Sequence, residues 1–185
     1  MATEDMRDYI TFYGIETNDW DFTFGSFSDH HKLLKREYIS DATDCQATST
    51  ASDTNEFVYQ HHIKKTYFIE GVISGHVTFA SSGATSHITE YRVTVGKINE
   101  DSTKSELFTT GWITVDDDLS WDSTYSIGQE RVYPFEIDAW DKETLTEYDR
   151  LYIKVEADAD ASCVLWHDNN QTFEDLKVEI PFILG

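Results

Sequence analysis

The stretch from Val132 to Asp168 carries three runs in which apolar and polar side chains alternate, separated by polar turns. In the middle run every second residue from Leu151 to Ala157 is apolar, and charged or polar residues lie between them. A period of two residues is that of a β-strand with one buried and one solvated face. We therefore expect this stretch to form the centre of a β-protein core. The residues predicted to pack inside are Leu151, Ile153, Val155 and Leu165.

Further runs of this kind bring the expected total to about eight to ten strands, with turn signals such as 81–86 and 99–103 between them. Many strands of this type without a fixed repeat are typical of a sandwich or jelly roll. The last run contains Pro181, which cannot donate to a sheet ladder, so we expect that end to lie at a sheet edge. The sequence thus predicts an all-β fold, an antiparallel two-sheet β-sandwich of jelly-roll type.

The composition changes near residue 55, and we predict an extended N-terminal arm over 1–55 followed by a β-sandwich body over 56–185. Within the arm, 29–39 favours a helical turn, and 41–55 is typical of a long polar loop. The segment 20–27 bears a row of aromatic side chains that a short arm is too small to bury alone. We expect four arm residues to contact a partner protein or a neighbouring subunit: Trp20, Phe22, Phe24 and Phe27.

The chain is strongly acidic, with 35 Asp and Glu residues against 14 Lys and Arg residues and a formal net charge of −21. Such a surface repels nucleic acids and anionic membranes, so we expect neither as a partner. No apolar run approaches the roughly 20 residues that span a bilayer. The first eight residues lack the basic and apolar regions of a secretory signal, which predicts synthesis in a cytoplasm.

One group of acidic residues has the chemistry of a calcium site. Asp116, Asp117, Asp118 and Asp122 offer the hard oxygen ligands that calcium prefers. The group lacks the spacing and the central Gly of an EF-hand loop, and a solvated loop between strands is the favoured explanation of the same residues. Calcium therefore stays an open alternative to the expectation that the protein uses no cofactor.

The sequence lacks the signatures of a catalytic centre. It contains no Gly-x-Ser-x-Gly elbow and no HExxH motif. Cys163 and His167 fall on one face of a predicted strand, but four strand residues separate them by about 13 Å. Cys163 is better explained as a small buried hydrophobic residue. We therefore expect no enzymatic activity.

Tryptophans of the predicted body fall near strand ends or loops, where an exposed ring could stack on the apolar face of a sugar. Core packing and subunit contacts use the same residue type more often. Trp121 and Trp140 are the candidates for a glycan-binding role.

Three segments of the body carry a resemblance to a known class of proteins: 66–75 (TYFIEGVISG), 87–98 (HITEYRVTVGKI) and 145–155 (LTEYDRLYIKV). With them, the body over about 66–183 resembles the β-sandwich proteins that tailed viruses of bacteria and archaea attach to their virions as capsid decorations, turrets or fibres. The resemblance implies a non-enzymatic virion component, assembled in the host cytoplasm. It also implies a homo-oligomer, often a trimer, that binds the major capsid or tail protein.

Two other classes of function stay open. A carbohydrate-binding module or receptor-binding adhesin would use the loop tryptophans. A hydrolase on a jelly-roll scaffold would draw on the many carboxylates, although nothing in the sequence distinguishes one pair from the rest. Fold alone does not decide between these classes.

Overall fold

The computed structural model describes residues 7–17, 32–36, 45–46, 48–59, 61–124, 127–166 and 176–185. These residues form strands, turns and bends and include no helix, which confirms the predicted all-β class. Accordingly, the described part of the chain has no helix long and apolar enough to cross a membrane. The helical turn predicted at 29–39 is wrong for its described part, because Lys32–Lys35 is a strand.

Fifteen strands are present in the described residues, and we number them in chain order. They are β1 (Asp8–Thr17), β2 (Lys32–Lys35), β3 (Cys45–Gln46), β4 (Thr48–Thr50), β5 (Asn55–Tyr59), β6 (Tyr67–Ser81), β7 (Ser86–Ile98), β8 (Lys104–Thr109), β9 (Ile113–Leu119), β10 (Trp121–Asp122), β11 (Ile127–Gly128), β12 (Glu130–Leu145), β13 (Arg150–Ala159), β14 (Cys163–Trp166) and β15 (Leu176–Leu184).

Two antiparallel sheets pack against each other, as predicted for a β-sandwich. The first sheet is built on β6, which pairs with β12 on one side and with β15 and β14 on the other; β1 lies beyond β15. The second sheet is built on β13, which lies between β5 and β7, and β7 also pairs with β8 and β9. Strand β2 pairs antiparallel with β1 and parallel with β5, and so joins the two sheets along one side.

The predicted core residues lie between the sheets. The apolar positions of β13 from Leu151 to Val155 are almost fully buried, and so is Leu165 on β14. Cys163 is buried beside them, and this burial raises the pKa of its thiol to about 12. The two-residue period in the sequence therefore identified the inward face of β13 correctly.

Three aromatic rings connect the two sheets across the core. Phe79 of β6, Tyr91 of β7 and Tyr133 of β12 lie with ring centroids 5.7–5.9 Å apart. The Tyr91 hydroxyl also donates a hydrogen bond of 2.7 Å to the backbone carbonyl of Pro134. Burial raises the pKa of Tyr91 to about 12, so the hydroxyl keeps its donor proton across the physiological range.

Strands from the predicted arm take part in the sheets. β1 pairs with β15, with Asp8 opposite Phe182, and β2 pairs with β5. The boundary at residue 55 stays a prediction, as does the trimeric assembly. Trp20, Phe22, Phe24 and Phe27 lie outside the described residues.

Pro181 lies inside the sheet, which corrects the prediction that it marks an edge. β15 has β1 on one side and β6 on the other, and Tyr9 lies opposite Pro181. The register with β6 shifts between Glu179 and Phe182, so the irregularity accommodates a residue that lacks a donor. Gly71 of β6 adopts a φ of +134°, and a Cβ added there would lie 3.3 Å from the Pro181 ring.

The close packing of Gly96 of β7 on the outer face of the second sheet can be tested by substitution. A Cβ at this position would lie 2.2 Å from Cζ of the buried Tyr152 ring. We expect Gly96→Ala to lower the free energy of unfolding by about 1–3 kcal/mol, as overpacking does, measured by urea denaturation. In a Tyr152→Leu background the same substitution should cost markedly less. Equal costs in the two backgrounds would show that the ring contact is not the cause.

Candidate functional site

The four aspartates predicted as calcium ligands lie on strands and point to different partners. Asp116, Asp117 and Asp118 are consecutive residues of β9, and Asp122 lies on β10. Asp117 forms an ion pair with Arg131 and accepts a hydrogen bond of 3.0 Å from the Tyr133 hydroxyl.

These contacts leave the carboxylates without a common centre. The bond from Arg131, with the Tyr133 bond behind it, holds the pKa of Asp117 below its usual range. Asp122 accepts from the backbone N–H of Thr124 and closes its own turn. Among the described residues, no group of three or more His, Cys, Asp or Glu side chains is arranged to hold a metal ion. The calcium site stays a prediction that this arrangement does not support.

Asp116 and Asp118 instead face one histidine, in what we name the His87 cluster: His87, Asp116, Asp118 and Asp160. The ring Nδ1 of His87 lies 2.9 Å from Asp118 Oδ1, and Nε2 lies 3.2 Å from Asp116 Oδ1. The backbone N–H of His87 donates to Asp160 Oδ2 at 2.9 Å. Asp116 has a φ of +51° and lies where the pairing of β7 with β9 shifts register. A bulge of this kind re-aims side chains at a strand end.

The geometry fixes the protonation state that the His87 cluster favours. A carboxylate oxygen only accepts hydrogen bonds, so both ring nitrogens must carry a proton to satisfy both contacts. The hydrogen bond to Asp118 is the main cause that raises the pKa of His87 above its ordinary 6.5, with the charges of Asp118, Asp116 and Asp160 adding to it. The arrangement therefore favours the imidazolium form, in which neither ring nitrogen is free to act as a general base.

The nucleophilic side chains nearest the cluster do not supply a catalytic pair. The Ser86 hydroxyl is buried and lies 2.9 Å from the Ser162 hydroxyl, with its other contact to the backbone carbonyl of Ala84. The Cys163 thiol stays protonated, because burial raises its pKa to about 12. Ser86 and Cys163 thus serve packing and hydrogen bonding, and this part of the chain contains no activated nucleophile.

Trp121 and Trp140, the predicted glycan-binding residues, lie at opposite ends of β6. The strand that carries Trp121 is tied to Ser81, whose hydroxyl donates to the Ser120 carbonyl at 2.6 Å. Trp140 follows Ala139, which lies opposite Gly71. Ten strand residues between Gly71 and Ser81 correspond to roughly 33 Å. The two rings therefore do not share a binding platform.

Trp140 belongs to an exposed aromatic and cationic surface that the sequence did not reveal. We name it the Trp140 face and define it by Arg7, Tyr9, Phe68, Trp140 and Lys142. Tyr9 and Trp140 are each 56% exposed. The Arg7 guanidinium lies 5.1 Å from the centroid of the Trp140 ring, and Lys142 Nζ lies 3.7 Å from that of Phe68.

A β-bulge produces this surface. The pairing of β12 with β6 shifts between Ala139 and Glu143, so three residues of β12 lie opposite a single residue of β6. The extra residues include Trp140 and Lys142, which project outward. The alternation of apolar and polar residues does not reveal a bulge of this length. For that reason the sequence predicts a polar turn after Trp140.

The outer face of the second sheet is different in character, because ion pairs cover it. Arg92 donates to Glu156 at 2.7 and 2.9 Å, and Lys154 pairs with both Glu156 and Glu106. Trp112, 47% exposed, lies under the Arg92 guanidinium at 4.8 Å. Charges that are already paired in this way suit a solvated surface.

The comparisons with known proteins show a likeness in fold to two solved structures. The sequence matches no protein-family model and no curated protein. A CocE/NonD family hydrolase from Staphylococcus aureus aligns with a TM-score of 0.55 and 11% identity over 96% of this chain and 36% of that chain. An aminopeptidase from a marine sediment archaeon, Thaumarchaeota archaeon, aligns with a TM-score of 0.50 and 10% identity over 71% of this chain and 26% of that chain.

These similarities correct the predicted function. The two proteins with the shared fold are hydrolases, which contradicts both the non-enzymatic virion role and the expectation that the chain is no enzyme. Of the predicted resemblance to virion proteins, the structure supports the all-β sandwich. The two hydrolases are 10–11% identical to this chain and share its fold. The chain spans 36% of the Staphylococcus aureus protein and 26% of the aminopeptidase.

The His87 cluster gives a prediction about pH. Because the folded-state pKa of His87 is raised, its contribution to stability is complete below its ordinary value of 6.5 and is lost as the pH rises through the folded value. We expect Asp118→Asn to lower the His87 midpoint, measured by NMR titration of the ring protons. Asp122→Asn is the matched control, because Asp122 closes its own turn. An unchanged midpoint in Asp118→Asn would contradict the assigned cause.

Proposed function

We propose that this chain contributes the β-sandwich module of a hydrolase and works beside a catalytic unit that lies outside the described residues. The observation that carries the proposal is the alignment of 96% of the chain with 36% of the Staphylococcus aureus hydrolase. An alignment that covers nearly all of one chain and a minor part of the other is expected when the first chain corresponds to one module of a larger enzyme. The aminopeptidase alignment, which uses 26% of that chain, has the same character.

The chemistry of the described residues supports a modular role. His87 has both ring nitrogens facing carboxylates, Cys163 is buried, and Ser86 bonds to Ser162. Hydrolysis by a side-chain nucleophile requires the nucleophile and an unprotonated base within hydrogen-bond reach. That requirement is not met around the His87 cluster, so the reacting groups are assigned to another unit.

The Trp140 face is the surface that we assign to contact with the catalytic unit. Exposed aromatic and Arg side chains grouped on one face are characteristic of protein interfaces. Tyr9, Trp140 and Arg7 form such a group, whereas the opposite outer face carries the paired charges of Arg92, Glu156 and Lys154. Two exposed aromatic side chains beside an arginine, Tyr9 and Trp140, against one, Trp112, on the second sheet support the first sheet as the docking side.

An activity assay tests the modular role. The tagged chain, isolated from the cells that naturally produce it together with whatever binds it, should hydrolyse p-nitrophenyl esters or aminoacyl p-nitroanilides. The purified 185-residue chain alone should hydrolyse neither. Two results would overturn the proposal: an isolated assembly inactive on both substrate classes, or a purified chain that is active by itself.

Substitution of Trp140 tests the docking face. We expect Trp140→Ala to reduce the hydrolase activity recovered with the tagged chain by about tenfold, equivalent to about 1.4 kcal/mol of interaction. Its urea stability should stay within about 0.5 kcal/mol of the parent, because the ring is exposed. Trp112→Ala is the matched control, since Trp112 is similarly exposed and also lies against an arginine. Equal losses in both variants would exclude a specific role for the Trp140 face.

A further inference from the structure

A pocket of about 330 Å³ opens beside the junction of the two sheets. Its apolar wall comes from β1, β5, β6, β15 and the segment after β5, through Ile10, Phe12, Tyr59, Ile63, Tyr67 and Phe182. The rings of this wall pack edge to face, with centroids 5.3 Å apart for Phe12 and Tyr59 and 5.8 Å for Tyr67 and Phe182. The wall is thus held by mutual packing, and the volume lies at the lower end of the range for small-molecule sites.

The polar side chains at this pocket are basic. Arg36, His61 and Lys64 line it and are exposed. Neither Arg36 nor Lys64 forms an ion pair with a carboxylate of the described residues. Seven other Lys and Arg side chains in the described part of the chain do have such partners: Arg7 with Glu70, Arg92 with Glu156, Lys97 with Asp149, Lys104 with Glu56, Arg131 with Asp117, Lys154 with Glu106, and Lys177 with Glu179.

This contrast is informative because the chain carries 35 acidic residues against 14 basic ones. In the described part of the chain, Lys65 and Lys142 also form no ion pair with a carboxylate, but neither of them lines this pocket. At this pocket two such cations border one apolar cavity. An apolar cavity with positive charge at its mouth is complementary to a ligand that joins an apolar body to an anionic group.

His62 also lines the pocket, but each of its ring nitrogens contacts another group of the protein. Nδ1 lies 2.8 Å from the Tyr148 carbonyl oxygen, and Nε2 lies 2.7 Å from an Arg150 guanidinium nitrogen. Arginine only donates, so Nε2 accepts and Nδ1 carries the proton. His62 is therefore held in the wall by these two hydrogen bonds, and the cations considered at this pocket are Lys64 and Arg36.

We propose that this pocket binds a small aromatic or short-chain aliphatic carboxylate. The apolar part of the ligand packs against Phe12, Tyr59, Tyr67 and Phe182, and the carboxylate pairs with Lys64 and Arg36. The volume admits one ring with a short linker. This inference rests on the pocket alone and stands apart from the proposed hydrolase role, because binding is measured on the purified chain.

Three probes separate the contributions of charge and apolar surface. 3-Phenylpropionate carries both a ring and a carboxylate, 3-phenylpropanol keeps the ring without the charge, and acetate keeps the charge without the ring. By NMR titration we expect 3-phenylpropionate to bind with a Kd on the order of 0.1–1 mM. The alcohol should bind at least about tenfold more weakly, and acetate should cause no shifts at the pocket at about 10 mM.

Two lysine variants locate the anion. Lys64→Gln should weaken 3-phenylpropionate binding by about tenfold and leave the alcohol unchanged. Lys65→Gln is the matched control, because it removes the same charge from the adjacent exposed residue, which does not line the pocket. Both side chains are exposed, so neither change should disturb folding. The proposal is overturned if the alcohol binds as tightly as the carboxylate, if the two variants weaken binding equally, or if shifts occur away from the pocket.

Discussion

The contact between Phe79, Tyr91 and Tyr133 is the one on which the two-sheet arrangement most depends. Each sheet has a buried face that is stable only when the other sheet covers it. The three rings interlock across this boundary, and the Tyr91 hydrogen bond to the Pro134 carbonyl adds a directional link. Within the second sheet, the pairing of β7 with β9 places His87 against Asp116 and Asp118.

The fold class and much of the core could be read from the sequence, because burial on one sheet face requires an apolar residue at every second position. Leu151, Ile153 and Val155 satisfy that requirement and are buried as expected. Pro181 was wrongly predicted to mark a sheet edge, because it lies at a register shift inside the sheet. A register shift depends on which strands become neighbours, and that information is not local to the segment.

The sites were harder to foresee than the fold. Consecutive aspartates suggested a shared metal ligand set, yet adjacent strand residues point to opposite faces, so Asp117 pairs with Arg131 while Asp118 faces His87. The pocket was missed because its wall draws on residues as distant as Phe12 and Phe182. The functional class was misjudged because fold-level resemblance is shared by sandwiches of unrelated roles.

The pairing of β1 with β15 also bears on how the chain reaches its structure. Asp8 lies opposite Phe182, so the pairing closes a loop of roughly 170 residues. Contacts between residues so far apart form slowly, because the entropy of ordering the intervening chain must be lost first. During synthesis β1 must wait for the ribosome to release β15. Until then Phe12 lacks its ring contact with Phe182 and stays open to non-native apolar contacts.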